Sequence, residues 1–131
     1  MERPARSQPL IFVVDPEPSF LAAVEQVLEE AGYRATVCLT QDTSLAAIAR
    51  QLPDLLIMAF PYHEPRAWRL LDQLDADPKT SAIPIIATST DADNLAAFTA
   101  REQRRCNAVM LKPFDIDPLL EQIDRLMPVA R

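Results

Sequence analysis

The chain has 131 residues, 49% apolar and 24% charged, the size and balance of one globular domain able to bury roughly two-thirds of its unfolded surface without a disulfide or metal. Its net charge of -6 argues against a generic binder of nucleic acid or anionic membrane. A single Gly excludes the Gly-rich phosphate loops, and one His with two widely spaced Cys excludes a Cys/His zinc site and an ordinary Ser-His-Asp triad, unless His63 carries one alone.

Residues 1–9 contain no apolar core of the kind a secretory signal needs and are expected to form a flexible arm; a folded domain over 10–127 and a short tail over 128–131 follow. Leu10 to Val14 is a continuous apolar run bounded by prolines, the pattern of a buried strand. Ser19 to Ala31 reads as a helix with Phe20, Leu21, Val24, Val27, Leu28 and Ala31 on one stripe, and Gly32 stands where a left-handed cap is wanted. Arg34 to Leu39 is a second strand, with Cys38 a small hydrophobe in it. Thr40 to Gln51 is a second helix with Leu45, Ile48 and Leu52 facing inward, ended by Pro53. Leu55 to Phe60 is apolar throughout and predicts a strand buried on both faces. Pro61 to Pro65 is a loop, with His63 expected in solvent rather than on a ligand, and Arg66 to Asp77 is a third helix. Its Trp68, Leu71 and Leu74 point inward, and Asp72, Asp75 and Asp77 form a solvated face.

Ile83 to Thr88 is the fourth strand. Asp91 or Asp93 caps a fourth helix running to about Arg105, with Leu95 and Phe98 inside. Cys106, just after Arg104 and Arg105, is read as an inert thiol. Ala108 to Leu111 is a short fifth strand, and Asp115 caps a fifth helix to about Met127 with Ile116, Leu119, Ile123 and Leu126 inside. Five alternating strand–helix units predict an α/β fold, a doubly wound parallel sheet with helices on both faces. No apolar run approaches a membrane span, so a cytoplasmic protein is expected. In such sheets ligands bind beyond the carboxyl ends of the strands, which directs attention to 15–17, 59–67, 89–93 and 112–115.

Those positions carry a resemblance. The stretches 11–19 (IFVVDPEPS), 53–58 (PDLLIM), 68–71 (WRLL), 77–86 (DPKTSAIPII) and 112–115 (KPFD), in this order and at these spacings, resemble the receiver domain of bacterial two-component response regulators over about Leu10 to Met127. The resemblance implies a flavodoxin-like strand order 2-1-3-4-5, a cis Lys112–Pro113 bond, and phosphoryl transfer from a histidine kinase to one aspartate beside Mg²⁺. It also implies a site in which an acidic pair, a hydroxyl and a lysine surround that aspartate.

Carried over residue by residue, the first acidic position is Asp15, the second is Pro16, with Glu17 next to it, and the phosphoacceptor position is Ala59. The hydroxyl is Ser89, with Thr88 as the alternative, and the lysine is Lys112. Val109 stands where the family usually has Tyr or Phe, His63 where it has Pro, and Ala67 where it has Gly. These accompanying departures favour a naturally decayed site over an engineered Ala59. Ala offers no nucleophilic atom, and too few carboxylates remain for Mg²⁺, so no catalysis, metal or cofactor is expected. An unpaired buried Lys is costly, so Lys112 is predicted either to contact Asp15 or to point to solvent.

The expected function is a degenerate receiver that docks proteins independently of phosphorylation. With nothing following Arg131 in the chain, it is expected to act by binding a kinase, another receiver or an output domain, the last in another chain or in a longer parent protein. The family's usual contact face, the fourth helix, fifth strand and fifth helix, holds Arg101, Arg104, Arg105 and Val109 and is the candidate surface for a partner or homodimer. The three arginines serve equally well as favourable charge at a helix C-terminus. Two alternatives stay open: a small-ligand sensor using a crevice at Ala59, Pro61, Tyr62 and Pro65, and a conventional receiver phosphorylated at a displaced acceptor such as Asp15 or Glu17.

Overall fold

A computed structural model describes residues 8–100 and 107–127. Strands and helices alternate as β1 (Leu10–Val14), α1 (Pro18–Glu30), β2 (Arg34–Cys38), α2 (Ser44–Gln51), β3 (Leu55–Ala59), α3 (Pro65–Ala76), β4 (Ile85–Ser89), α4 (Ala92–Thr99), β5 (Ala108–Leu111) and α5 (Ile116–Leu126). The strands form one parallel sheet in the order β2-β1-β3-β4-β5, as expected. The central strands β1, β3 and β4 are buried at every position, which is why they read as unbroken apolar runs.

Alternation along the strands divides the core in two. Phe12, Val14, Leu56, Met58, Ile85 and Ala87 pack with Ile48 of α2, Leu70 and Leu74 of α3, and Leu95 and Phe98 of α4. Their neighbours Ile11, Val13, Leu55, Ile57, Ile86 and Met110 pack on the other side with Leu21, Val24 and Leu28 of α1 and Leu119, Ile123 and Leu126 of α5. Phe60 anchors the first layer, with Trp68 at 4.6 Å and Phe98 at 5.5 Å between ring centroids.

Several expected boundaries shift for local reasons. The second helix begins at Ser44, not Thr40, because Ser44 Oγ donates to the Thr40 carbonyl at 2.6 Å and the Thr40–Thr43 stretch is taken up by such local bonds. Cys38 is only partly buried, its Sγ 3.4 Å from Thr43 Oγ1. Leu52 does not face the core. It ends α2 in the left-handed region at φ 47° and is 47% exposed, because Pro53 bars the right-handed conformation to the residue before it. Ala31 likewise lies exposed just past α1, while Gly32 takes the expected positive φ of 97°.

The strand β4 starts at Ile85, after a turn in which Thr80 Oγ1 donates to the Leu74 carbonyl at 2.7 Å. Asp91, rather than Asp93, caps α4, its carboxylate accepting the Asp93 N–H at 3.0 Å. That helix ends at Thr99, and 101–106, with Arg101, Arg104, Arg105 and Cys106, lie outside the described residues. Asp115 holds the N-cap position of α5 without a side-chain capping bond. The carbonyls of Gln8 and Pro9, the end of the expected arm, accept bonds from Arg34. Residues 1–7 and 128–131 lie outside the described residues.

Candidate functional site

The carboxyl ends of β1, β3, β4 and β5 bring the candidate residues into one row. Val14 pairs with Met58, so Asp15, one step further, comes beside Ala59. Ala59 pairs with Thr88, and Thr88 with Met110. All four lie on the sheet face covered by α1 and α5, because Ile57, Ile86 and Met110 face that way. Lys112 is two residues beyond Met110 and returns to the same face.

Asp15 is 1% exposed, and its charge is fully engaged. Its Oδ2 receives the Lys112 ammonium at 2.6 Å, and its Oδ1 accepts the Glu17 backbone N–H at 2.9 Å. Lys112 therefore contacts Asp15 and does not point to solvent. The ammonium also sits 4.3 Å from the centroid of the Phe20 ring, a cation–π contact, and Phe20 meets Phe114 edge-on at 6.1 Å. Phe20 was expected simply as a core residue; its place above the lysine follows from α1 starting right after the β1 turn, and periodicity carries no signal for it.

Ala59 closes β3 at 3% exposure and brings only a methyl group to the row. Beside it, the Thr88 hydroxyl is fully buried with no hydrogen-bond partner among the described residues. Ser89 faces away from this row. Its Oγ donates to the Phe60 carbonyl at 2.7 Å and accepts the Asp91 N–H at 2.9 Å, tying β4 to the loops after β3 and before α4. Asn94 reinforces that tie, donating to the Phe60 and Pro61 carbonyls at 2.8 and 3.2 Å. Pro16 and the Glu17 side chain lie at the surface.

The Lys112–Pro113 bond is cis. His63 takes a left-handed conformation at φ 57° and stacks on exposed Tyr62 at 3.9 Å. Glu64 caps α3. Hydrogen bonds from the Arg66 side chain and backbone, with the Arg66 charge, pull its carboxyl down to about 2. On β5, Val109 and Leu111 are 39% and 50% exposed, an apolar pair on an edge strand. Among the described residues no three His, Cys, Asp or Glu side chains gather as a metal site, and no helix is long and apolar enough to cross a membrane.

A five-stranded 2-1-3-4-5 sheet whose strand ends gather an aspartate and a cis-Pro lysine defines a receiver-type signalling domain. The chain matches the response regulator receiver domain over residues 11–124 and belongs to that family, whose members work in two-component signalling through contacts with kinases and output domains. It is 26% identical over 118 residues to Protein PilH of Pseudomonas aeruginosa, covering 89% of this chain and 96% of that protein. It is 28% identical over 116 residues to the DNA-binding transcriptional regulator NtrC of Salmonella typhimurium, covering 88% of this chain but spanning only 24% of NtrC. In fold it is similar to the receiver domain of a sensor histidine kinase from Pseudomonas aeruginosa PAO1, solved with a magnesium ion in its active-site cleft. The TM-score is 0.77 at 21% identity, with 91% of this chain and 97% of that one covered.

Proposed function

We propose that the chain is a receiver domain that signals by docking other proteins and takes up no phosphoryl group at the position its family uses. The observation that carries this reading is the end of β3: Ala59 supplies no nucleophile, and the neighbouring Asp15 has both oxygens committed, one to Lys112 and one to the Glu17 N–H. The same donor set does not suit Mg²⁺, which demands near-octahedral hard oxygens. Pro16 and Ala59 offer no side-chain oxygen, and the remaining carboxylate is neutralised by an ammonium. No step is assigned to a metal.

The engaged state of Asp15 also speaks against its use as a displaced acceptor, since a nucleophilic oxygen would first have to leave Lys112. The small-ligand reading at the strand ends is disfavoured by the closure of Ala59 in the core, while Tyr62 stands in solvent. The exposed pair Val109 and Leu111 supports β5 as part of the contact face, for a kinase, another receiver, an output domain or a second copy.

The test is the intact mass of the chain after incubation with acetyl phosphate and Mg²⁺, beside the Ala59→Asp variant. The native chain is expected to keep its mass; a stoichiometric phosphoryl on it overturns the reading, and mapping the modified residue then identifies the acceptor.

A further inference from the structure

The helix α4 has 8 residues, and of these only Leu95 and Phe98 are buried. By comparison, α1 buries Leu21, Val24 and Leu28, α5 buries Leu119, Ile123 and Leu126, and α3 buries four side chains. A helix as short as α4 does not hold itself together in water, so contacts outside it decide where it lies. Those contacts converge on Phe60, just past the end of β3.

The Phe60 carbonyl accepts from Ser89 Oγ at 2.7 Å and from Asn94 Nδ2 at 2.8 Å. Asn94 also donates to the Pro61 carbonyl at 3.2 Å, and Ser89 Oγ accepts the N–H of Asp91, the N-cap of α4, at 2.9 Å. Phe98 lies one turn beyond Asn94 on the same side of the helix, and its ring centroid is 5.5 Å from that of Phe60. Phe60 thus holds α4 twice, by its backbone and by its ring, and its N–H is fixed to the Thr88 carbonyl at 2.8 Å. The strand-end row lies on the other face of the sheet. Asp15 bonds to Lys112 and the Glu17 N–H, and Thr88 Oγ1 has no partner, so no side-chain hydrogen bond among the described residues runs from the row to Ser89 or Asn94. The link between them is backbone, the Lys112 N–H on the Ser89 carbonyl at 2.8 Å.

We propose that Ser89, Asn94 and Phe98 clamp α4 on Phe60, so that the helix keeps one arrangement whatever the state of Asp15 and Lys112. The part of the contact face that α4 contributes is then preset, and no change at the strand ends is needed to shape it. This deepens the docking reading and rests on it for the use of the surface, while the clamp itself is tested without any partner.

The test is residue-resolved hydrogen exchange of the full chain at pH 7, comparing the amides of 95–100 with those of α3 and α5. Asn94→Asp keeps the shape of the side chain but leaves no donor for the two carbonyls. An acid in the first turn of a helix is otherwise favourable, so helix electrostatics alone predicts tighter protection in this variant. The clamp predicts the opposite, exchange about tenfold faster over 95–100 relative to α3 and α5. Asp15→Asn combined with Lys112→Met removes both charges of the row and is expected to leave that ratio within about twofold of the native value. Native or tighter protection of 95–100 in Asn94→Asp, or an equal loss in α3 and α5, overturns the proposal. So does a loosening of α4 beyond that of α3 and α5 in the double variant. Phosphoryl uptake by the native chain would overturn the docking reading and leave these ratios as they are, so the two failures are distinguishable.

Discussion

Lys112 Nζ stands 2.6 Å from Asp15 Oδ2, joining the end of β5 to the end of β1 across two intervening strands. The aspartate is almost wholly buried, and the lysine side chain is covered by the Phe20 ring. A pair so placed costs desolvation on both sides, and its value shows when one partner is removed and the other is left charged and buried.

Lys112→Met is therefore expected to destabilise the fold by about 3 kcal/mol, somewhat less than a wholly enclosed pair because Asp15 keeps the Glu17 N–H. Asp15→Asn in the same chain is expected to restore most of that loss, since neither charge remains. Urea unfolding of the two single variants and the double variant measures the coupling. Additive losses would show that the pair does not act as a unit.

Thr88 raises the opposite case, a buried polar group with nothing to bond. Removing an unpaired hydroxyl while keeping the shape removes a desolvation penalty, so Thr88→Val is expected to raise stability by about 1 kcal/mol. Thr88→Ala is expected to lose stability, because it also removes a buried methyl group. A thermal or urea comparison decides the point: a destabilised Thr88→Val would mean that the hydroxyl is satisfied in solution by an ordered water over Ala59.

At the start of α3, Glu64 is expected to titrate at about pH 2 instead of near its ordinary 4.5, held down by the hydrogen bonds and charge of Arg66. A depressed carboxyl pKa means that its stabilisation is present above the unfolded value and disappears as pH falls from about 4.5 through about 2. The carboxyl carbon shift of Glu64 followed by NMR against pH checks this. Arg66→Ala is expected to move the titration part of the way back, because the backbone N–H of residue 66 still donates.

The strands were legible because burial on both faces leaves runs such as Leu55 to Ala59 without a polar residue, and the order of the sheet followed from the motifs at their ends. The Asp15–Lys112 contact was legible for a different reason: few other partners remained for a buried lysine once Pro16 and Ala59 lacked carboxylates. Leu52 was misread because it continues the spacing of Leu45 and Ile48, and periodicity ignores what Pro53 does to its neighbour's backbone. The pairing of Ala59 with Thr88 and the ring of Phe20 over Lys112 depend on register and on how helices seat on the sheet, and no local pattern announces them.

The same register fixes what a carboxylate at position 59 would meet. It would enter a row that is closed to solvent, beside an Asp15 already satisfied by the Lys112 ammonium. Burial and the like charge of Asp15 both oppose ionisation, so the new carboxyl is expected to have a raised pKa. A group whose folded pKa lies above its unfolded value binds more protons when folded, and stability falls as pH rises through that interval. Ala59→Asp is thus expected to cost about 3 kcal/mol at pH 7 and to recover much of it by pH 5. The Thr88 hydroxyl limits the loss by donating to the new group, so Ala59→Asp combined with Thr88→Val is expected to be less stable than either single change predicts by addition. Urea unfolding at pH 5 and pH 7 for the three variants tests all of this. A pH-independent Ala59→Asp would show that position 59 is open to water and would remove the main reason for regarding this strand end as closed.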